Sequence, residues 1–118
     1  MPTITLPWPD AKLSPNARVH HMALYRVKAK AKDDAWVLTR EALPSKADRA
    51  PYAGDAPIPL TITFHPPDKR RRDRDNMQYM LKAALDGIAL GLEVDDYRFH
   101  PTYRFADPCK SGKVEVTI

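Results

Sequence analysis

The stretch at residues 58–90, IPLTITFHPPDKRRRDRDNMQYMLKAALDGIAL, holds the two most regular patterns in the chain. Its first eight residues, Ile58 to His65, place an apolar side chain at every second position, which predicts a half-buried β-strand. The Pro66-Pro67 pair ends that strand, because proline cannot donate to a sheet ladder. From Asn76 to about Leu90, apolar side chains recur every three or four residues, which predicts a helix with one buried stripe.

The ends of this helix also have sequence signals. Asp75 is a natural N-cap, and with Gln78 three residues later it resembles a capping box. Gly91 follows the last periodic residue and is the expected C-cap. The segment Asp68 to Asp75, between the strand and the helix, is predicted to be an extended loop.

Outward from this stretch, the remaining elements are shorter and less regular. The chain as a whole reads strand, helix, strand, helix, strand, strand, which is typical of an α+β fold in which two main helices cover a small mixed sheet. The other predicted segments are a strand at Thr3 to Trp8, a basic connector at Lys12 to Lys32, a helix at Asp33 to Leu43, a surface loop at Pro44 to Pro59, and strands at Tyr97 to Phe105 and Lys113 to Ile118.

Length and composition limit the class of protein. A chain of 118 residues is the size of one domain, so residues 1–118 are interpreted as a single unit. Hydrophobic residues make up 43% and charged residues 29%, a globular balance with no apolar run long enough for a membrane helix. The start of the chain lacks the pattern of a secretory signal, and the single cysteine, Cys109, suits a reducing compartment, so we expect a cytoplasmic protein.

Charge is unevenly distributed around a net value of +4. Five basic and three acidic residues lie between Asp68 and Asp75, whereas four acidic residues and one arginine lie between Asp86 and Arg98. A basic surplus favours a polyanionic partner but says nothing of chemistry. The two acidic foci within a basic chain are therefore the more informative feature.

Two aspartate pairs are the candidate metal ligands. Asp73 and Asp75 lie two residues apart before the helix, and Asp95 and Asp96 follow it. If the chain returns along the sheet after the helix, the pairs could meet. Mg²⁺ binds through a few carboxylates and keeps positions open for phosphate oxygens, while nearby arginines neutralise the DNA backbone. Carboxylates among basic residues are thus what a metal-dependent nuclease needs.

Each of these residues also has a purely structural interpretation. Asp75 can simply cap the helix, and Asp73 can pair with neighbouring arginines at the surface. Asp95 and Asp96 can form a solvated turn, and Lys82 with Asp86 can be an ordinary i, i+4 pair. Spacing alone leaves these alternatives open.

The segment HPPDKRRRDRDNMQYMLKAALDGIALGLEVDD, with LPWP and SPN near the start, resembles the RusA family of crossover junction endodeoxyribonucleases, the Holliday-junction resolvases of bacteria and their phages. The resemblance extends from Ile4 to about Asp96 and is weak only between Arg18 and Pro59. Its pattern is a basic stretch, D-x-D-N, a lysine on a helix, L-D-[AG]-[LI] and finally D-D.

This resemblance implies a fold and a set of roles. It implies a RusA-like domain in which Asp73, Asp75 and Asp96 bind catalytic Mg²⁺ and Asp95 supports them. The family's lysine follows the asparagine by three residues, a place taken here by Tyr79. The matching run LKAALDGI instead puts Lys82 in register, as if one helical turn were inserted, so Lys82 is assigned the phosphate-binding or transition-state-stabilising role.

The resemblance also implies partners. Family members are homodimers, which suits a four-way DNA junction that must be cut on two opposed strands. No organic cofactor and no membrane contact are expected. Phosphate contacts should dominate affinity, with Lys12 to Lys32 as further candidates. The candidate DNA-binding residues around the D-x-D-N motif are Lys69, Arg70, Arg71, Arg72, Arg74 and Asn76.

Three functions compete at this point. The leading hypothesis is a Mg²⁺-dependent, structure-selective endonuclease that resolves Holliday junctions in DNA recombination and repair. The second is a non-catalytic protein that binds branched DNA and whose carboxylates are structural. The third is a metal-dependent hydrolase of small phosphoesters, which would need no basic surface.

Overall fold

A computed structural model describes all 118 residues, and its elements follow the predicted alternation of strands and helices. Short 3₁₀ turns occupy Ala11–Leu13, Ala50–Tyr52 and Asp96–Arg98. The strands are β1 (Thr3–Pro7), β2 (Ile58–His65), β3 (Phe99–Phe105) and β4 (Lys113–Thr117), and the helices are α1 (His21–Ala42), α2 (Lys46–Arg49), α3 (Arg74–Met80) and α4 (Lys82–Leu92). None of these helices is long and apolar enough to cross a membrane.

The four strands form one mixed sheet in the order β1-β4-β2-β3. Strand β4 is antiparallel to both β1 and β2, whereas β3 is parallel to β2. A parallel pair needs a long crossover connection, and here α3 and α4 lie within it. This confirms the α+β class with a small mixed sheet.

Strand β2 has the alternation that its sequence predicts. Ile58, Leu60, Ile62 and Phe64 are all buried, and the intervening residues are more exposed. Because successive side chains of a strand point to opposite faces, one face of the sheet carries the core. The main helices supply the other half of a single hydrophobic cluster, with Leu81, Ile88 and Ala35 among its members.

Helices α1 and α4 pack closely because α4 carries glycines at the contact. A Cβ atom at Gly87 would lie 2.1 Å from the Lys32 carbonyl oxygen, and one at Gly91 would lie 2.8 Å from Thr39 Cβ. The predicted C-cap role of Gly91 is therefore wrong. The C-cap is Glu93, whose φ of 60° places it in the left-handed region, and Gly91 is needed for helix packing.

Helix α1 is the largest departure from the sequence prediction. It begins at His21 and not at Asp33, so most of the predicted basic connector is helical. Alanine, leucine, lysine and arginine dominate residues 22–32, and all are good helix formers. His20 caps the helix, its Nδ1 accepting a hydrogen bond from the Met22 amide at 3.2 Å. Pro44 does follow the end of the helix as predicted, since α1 stops at Ala42.

Two further boundaries differ from prediction. The predicted surface loop between Pro44 and Pro59 contains α2, which begins with a capping box formed by Ser45 and Asp48. Strand β3 begins at Phe99 and not at Tyr97, because the preceding residues form a 3₁₀ turn. In both places short helical turns replace extended chain, and such turns are too brief to leave a periodic pattern.

The predicted helix from Asn76 to about Leu90 is two helices. Leu81 joins them with φ −87° and ψ −7°, where the regular helix is interrupted. Helix α3 begins earlier than expected and is capped by Asp73, whose side chain accepts a hydrogen bond from the Asp75 amide at 2.9 Å. The predicted N-cap at Asp75 and its capping box with Gln78 are therefore wrong, since Asp75 lies in the first turn.

Candidate active site and DNA-binding surface

Lys82 lies between two carboxylates. It is the first residue of α4, and its Nζ donates to Asp86 Oδ1, one turn along the same helix, at 2.7 Å. Its Nζ also donates to Asp96 Oδ2, which belongs to the 3₁₀ turn after α4. The Lys82 side chain is 63% exposed and the Asp96 side chain 38% exposed, so the cluster is open to solvent. A local helix pair thus gains a third, distant member.

These contacts hold the cluster in its ionised form. The hydrogen bonds that Lys82 donates, first to Asp86 and then to Asp96, raise the pKa of Lys82 above its usual value. The hydrogen bond from Lys82, followed by the effect of Asp86, lowers the pKa of Asp96. At neutral pH the site therefore presents an ammonium group beside carboxylates.

Arg98 holds the turn that carries Asp96. It is buried, and its Nε and Nη1 donate to the carbonyls of Ala56 and Tyr52 at 2.9 and 2.8 Å. Asp95 caps the same turn, its Oδ1 accepting from the Tyr97 amide at 3.1 Å. Sequence reasoning missed Arg98, because its partners are backbone atoms more than 40 residues away and no side-chain motif marks them.

The other acidic pair lies at the start of α3. Asp73 and Asp75 are both exposed, but only Asp73 has a structural task, as the N-cap. The expectation that both lie in an extended loop is wrong for Asp75, which is helical. Its carboxylate makes no hydrogen bond or ion pair within the chain and is free to meet a ligand.

The two acidic pairs do not form a three-ligand metal centre within one copy of the chain. No three side chains of Asp, Glu, His or Cys lie close enough together to hold a metal ion. Asp96 does return, as expected, but only as far as Lys82, which lies about 10 Å of helix rise beyond Asp75. The donors are nevertheless of the right type, because Mg²⁺ is often held by one or two carboxylates together with water and phosphate.

The basic loop before α3 is organised around Asp68. Arg72 Nη2 donates to Asp68 Oδ1 at 2.9 Å, and Arg70 donates both its amide and its guanidinium to the same side chain. These bonds, with the Arg70 amide bond first, lower the pKa of Asp68 to about 2. Asp68 is therefore a fixed negative centre that holds two arginines.

The predicted DNA-binding residues differ in how far each is engaged within the chain. Arg72 is only 18% exposed, donates to the Asp68 and Arg70 carbonyls and lies over the Trp8 ring, so a DNA contact would have to break these bonds. Lys69 and Arg71 are exposed and make no ion pair within the chain, so they can meet phosphate without rearrangement. Arg74 is exposed beside Phe105, 4.7 Å from its ring centre, and Asn76 lines a groove of about 450 Å³ beneath the loop.

Comparison with known proteins finds relatives along almost the whole chain. No family model matches it. An uncharacterized protein of Xylella fastidiosa is 36% identical over 124 residues, covering 100% of this chain and 76% of the relative. The crossover junction endodeoxyribonuclease RusA of Escherichia coli K12 is 33% identical over 119 residues, covering 98% of this chain and 92% of RusA. The RusA protein of Enterobacteria phage 82 is 32% identical, with 98% and 91% covered.

Proposed function

The chain belongs to the RusA family of crossover junction endodeoxyribonucleases, and on this premise we propose that it is an endonuclease that resolves four-way DNA junctions in recombination and repair. The proposed reaction is Mg²⁺-dependent hydrolysis of two phosphodiesters by paired, symmetric nicks. The observation that carries the proposal is the 33% identity to a crossover junction endodeoxyribonuclease over 98% of this chain.

Lys82 is the residue we propose to meet the scissile phosphate. Its raised pKa keeps it an ammonium group, which suits charge stabilisation and excludes service as a general base near neutral pH. Because the cluster is exposed, a phosphate oxygen can replace one of the aspartates as its partner. In the free protein the two aspartates hold the ammonium group in place for that exchange.

Asp73, Asp75 and Asp96 are the residues from which we propose that Mg²⁺ takes its carboxylate ligands, with Asp95 in a supporting role. Because no three of these side chains are grouped in the free chain, water and phosphate oxygens would complete the coordination. Asp75 carries an unengaged carboxylate, and Asp96 is kept ionised by Lys82. When bound, the metal ion would supply Lewis-acid polarisation of a phosphate oxygen and a water of lowered pKa. The protein's task is to keep these carboxylates ionised and open to solvent.

Grip on DNA is assigned to exposed basic residues around the acidic ones. Lys69, Arg71 and Arg74 face solvent, and the lysines of α1 add further positive charge. Phosphate contacts of this kind fix orientation without reading sequence. Two opposed strands require two equivalent sites, so the proposed functional unit is a homodimer.

Replacement of Asp75 by asparagine is the direct test. Asp75→Asn keeps side-chain size and the amide that bonds Asp73, so the fold should survive. Synthetic four-way junctions are incubated with Mg²⁺, and cleavage and binding are measured separately. We expect cleavage to vanish and binding to persist or tighten. The matched control is Asp55→Asn, at an exposed residue whose side chain makes no hydrogen bond, which should cleave like the wild type. Unchanged cleavage by Asp75→Asn would remove Asp75 from the site.

The second candidate function is a branched-DNA-binding protein without catalysis. The observation in its favour is that Asp73 and Asp95 each cap a helical turn and Lys82 neutralises Asp96, so most of the carboxylates already have structural tasks. This alternative predicts that the wild-type protein binds junctions and never nicks them, whether Mg²⁺ is added or withheld.

A further inference from the structure

A groove between α1 and the α3–α4 pair includes Lys82 in its lining. Tyr25, Lys28 and Lys32 line it from α1, and Tyr79 and Lys82 line it from the other side. Its volume is about 400 Å³, within the range of pockets that hold small ligands. Because Lys82 and Asp86 both line it, the groove includes part of the cluster described above.

The groove lies beside the close packing of α1 and α4. The first of the two glycine contacts is that of Gly87 with the Lys32 carbonyl, and the groove lies on the N-terminal side of this contact on both helices. Ala29 and Ala83 line the groove, and because their side chains are small they do not fill it. The groove is therefore a built feature of the fold and does not depend on a mobile loop.

Two tyrosine rings in the groove are uncovered. Tyr25 is 70% exposed and Tyr79 is 54% exposed, and neither hydroxyl makes a hydrogen bond within the chain. Exposed aromatic rings beside a basic surface are the platforms on which single-stranded bases stack. Tyr79 also lies in the helical turn that separates the D-x-D-N motif from Lys82.

The charge of the groove is positive. Lys28 and Lys32 lie one turn apart, both exposed and without a carboxylate partner, whereas Lys30 between them is paired with Asp34 at 2.6 Å. The only carboxylate in the groove, that of Asp86, is already bonded to Lys82. Two free lysines beside two free rings match the alternating phosphates and bases of one DNA strand.

We infer that this groove receives an unstacked nucleotide of the junction strand, with its base against Tyr79 and Tyr25 and its phosphates on Lys28 and Lys32. The inference rests on the proposed function and extends it to how the branch point is recognised. Bases at a branch point are more easily unstacked than those within a duplex, so the groove would favour junctions over linear DNA. A second copy of the chain is a poorer occupant, because a two-fold interface here would bring equivalent lysines together.

Single-stranded DNA tests the groove without reference to cleavage. Binding of a labelled oligodeoxythymidine of about 12 nucleotides is followed by fluorescence anisotropy. We expect Tyr79→Ala and Tyr79→Leu to weaken binding roughly tenfold, and Tyr79→Phe to stay within about twofold, because stacking needs the ring and not the hydroxyl. The matched control is Trp36→Ala, an exposed aromatic residue on α1 outside the groove, which should bind like the wild type.

Photocrosslinking then locates the base. Junctions carrying 5-bromodeoxyuridine at the exchange point are irradiated on the protein, and crosslinked peptides are identified by mass spectrometry. A crosslink at Tyr25 or Tyr79 supports the inference. If crosslinks form only at other residues and junction cleavage is intact, the inferred role of the groove is wrong and the proposed nuclease activity is unaffected.

Two other outcomes are equally decisive. If the wild type never cleaves junctions but Tyr79→Ala loses affinity for the oligonucleotide, the proposed reaction fails and the groove stands as a site for DNA. If Tyr79→Ala or Tyr25→Ala instead turns a dimer into a monomer by light scattering, and oligonucleotide affinity is unchanged, the tyrosines cover a subunit interface and the inference is wrong.

Discussion

The loop around Asp68 and the cluster around Lys82 have the same arrangement of charges with opposite signs. In the loop, one carboxylate holds two guanidinium groups, those of Arg70 and Arg72. In the cluster, one ammonium group holds two carboxylates, those of Asp86 and Asp96. The loop thus leaves a positive surplus and the cluster a negative one, and the two lie at opposite ends of α3.

The two arrangements differ in what builds them. All contacts of Asp68 fall within four residues, so the loop can assemble from its own sequence. Lys82 and Asp96 are 14 residues apart, and the turn that carries Asp96 is anchored by Arg98 to a segment about 40 residues away. Local sequence therefore makes the cationic surface, and tertiary structure makes the reactive cluster.

Removal of Lys82 should have the largest effect. We expect Lys82→Ala to slow junction cleavage by roughly 10²–10³-fold, the usual loss when one donor to a developing charge is removed. Lys82→Arg keeps the charge and should recover part of the rate. Single-turnover cleavage measures both, with Lys46→Ala on exposed α2 as the control. A loss below about threefold would contradict the phosphate role, because a surface ion pair is worth little.

Replacement of Gly87, which lets α1 and α4 pack closely, should destabilise the fold that holds the Lys82 cluster. Gly87→Ala forces a Cβ against the Lys32 carbonyl, a backbone atom within a long helix that cannot yield cheaply. Alanine favours helix by about 1 kcal/mol, but overpacking costs about 1–3 kcal/mol or more, so the free energy of unfolding should fall. Urea unfolding measures it. Leu90→Ala, at an exposed position on α4, is the control, and a stabilised Gly87→Ala protein would show that the helices can separate freely.

Arg71 and Arg72 should have opposite phenotypes. Arg72→Ala removes bonds to Asp68 and the contact with Trp8, so we expect the free energy of unfolding to fall by about 1–2 kcal/mol. Arg71→Ala should leave stability within about 0.5 kcal/mol and reduce the salt dependence of DNA binding by about one charge. Urea unfolding and binding at several salt concentrations give both quantities. Equal effects of the two variants on stability and on salt dependence would contradict the assignment of Arg72 to the fold and Arg71 to DNA.

The smallest expected effect is a loss of stability at acid pH caused by protonation of Asp68. Its folded pKa of about 2 lies below the ordinary value of 3.8, so the stability it contributes is present above that value and is lost as pH falls toward 2. Thermal unfolding between about pH 5 and pH 2 should show a steeper decline in the wild type than in Asp68→Asn. Parallel declines would mean that the arginine contacts do not persist in solution.

Sequence reasoning succeeded where one strong pattern acted alone. The alternation in Ile58 to His65 predicted β2 and its buried face correctly, because a strand with one buried face leaves a period of two. It failed at Asp33, the predicted start of a helix that in fact begins at His21, and at Leu81, where continuous apolar periodicity concealed the break between α3 and α4. Neither position is distinguished by side-chain chemistry.

The candidate site divides along the same line. Asp73, Asp75, Asp95, Asp96 and Lys82 were predicted from motif and resemblance, and their part in catalysis stays a prediction. The sequence did not predict the contact between Lys82 and Asp96, which the structure shows. Arg98 and the Tyr25–Tyr79 groove were not predicted, because their neighbours are distant in the chain and a single sequence does not show distance.

By itself, then, the sequence determined the central strand, the cationic loop and the aspartate spacing, all of which depend on residues a few positions apart. Only the tertiary structure decided that Lys82 would be shared between Asp86 and Asp96, that Gly91 would serve packing and not a cap, and that two tyrosines would face one groove. The physical reason is that short-range patterns record which face of an element is buried, whereas the partner it is buried against is chosen when the elements pack.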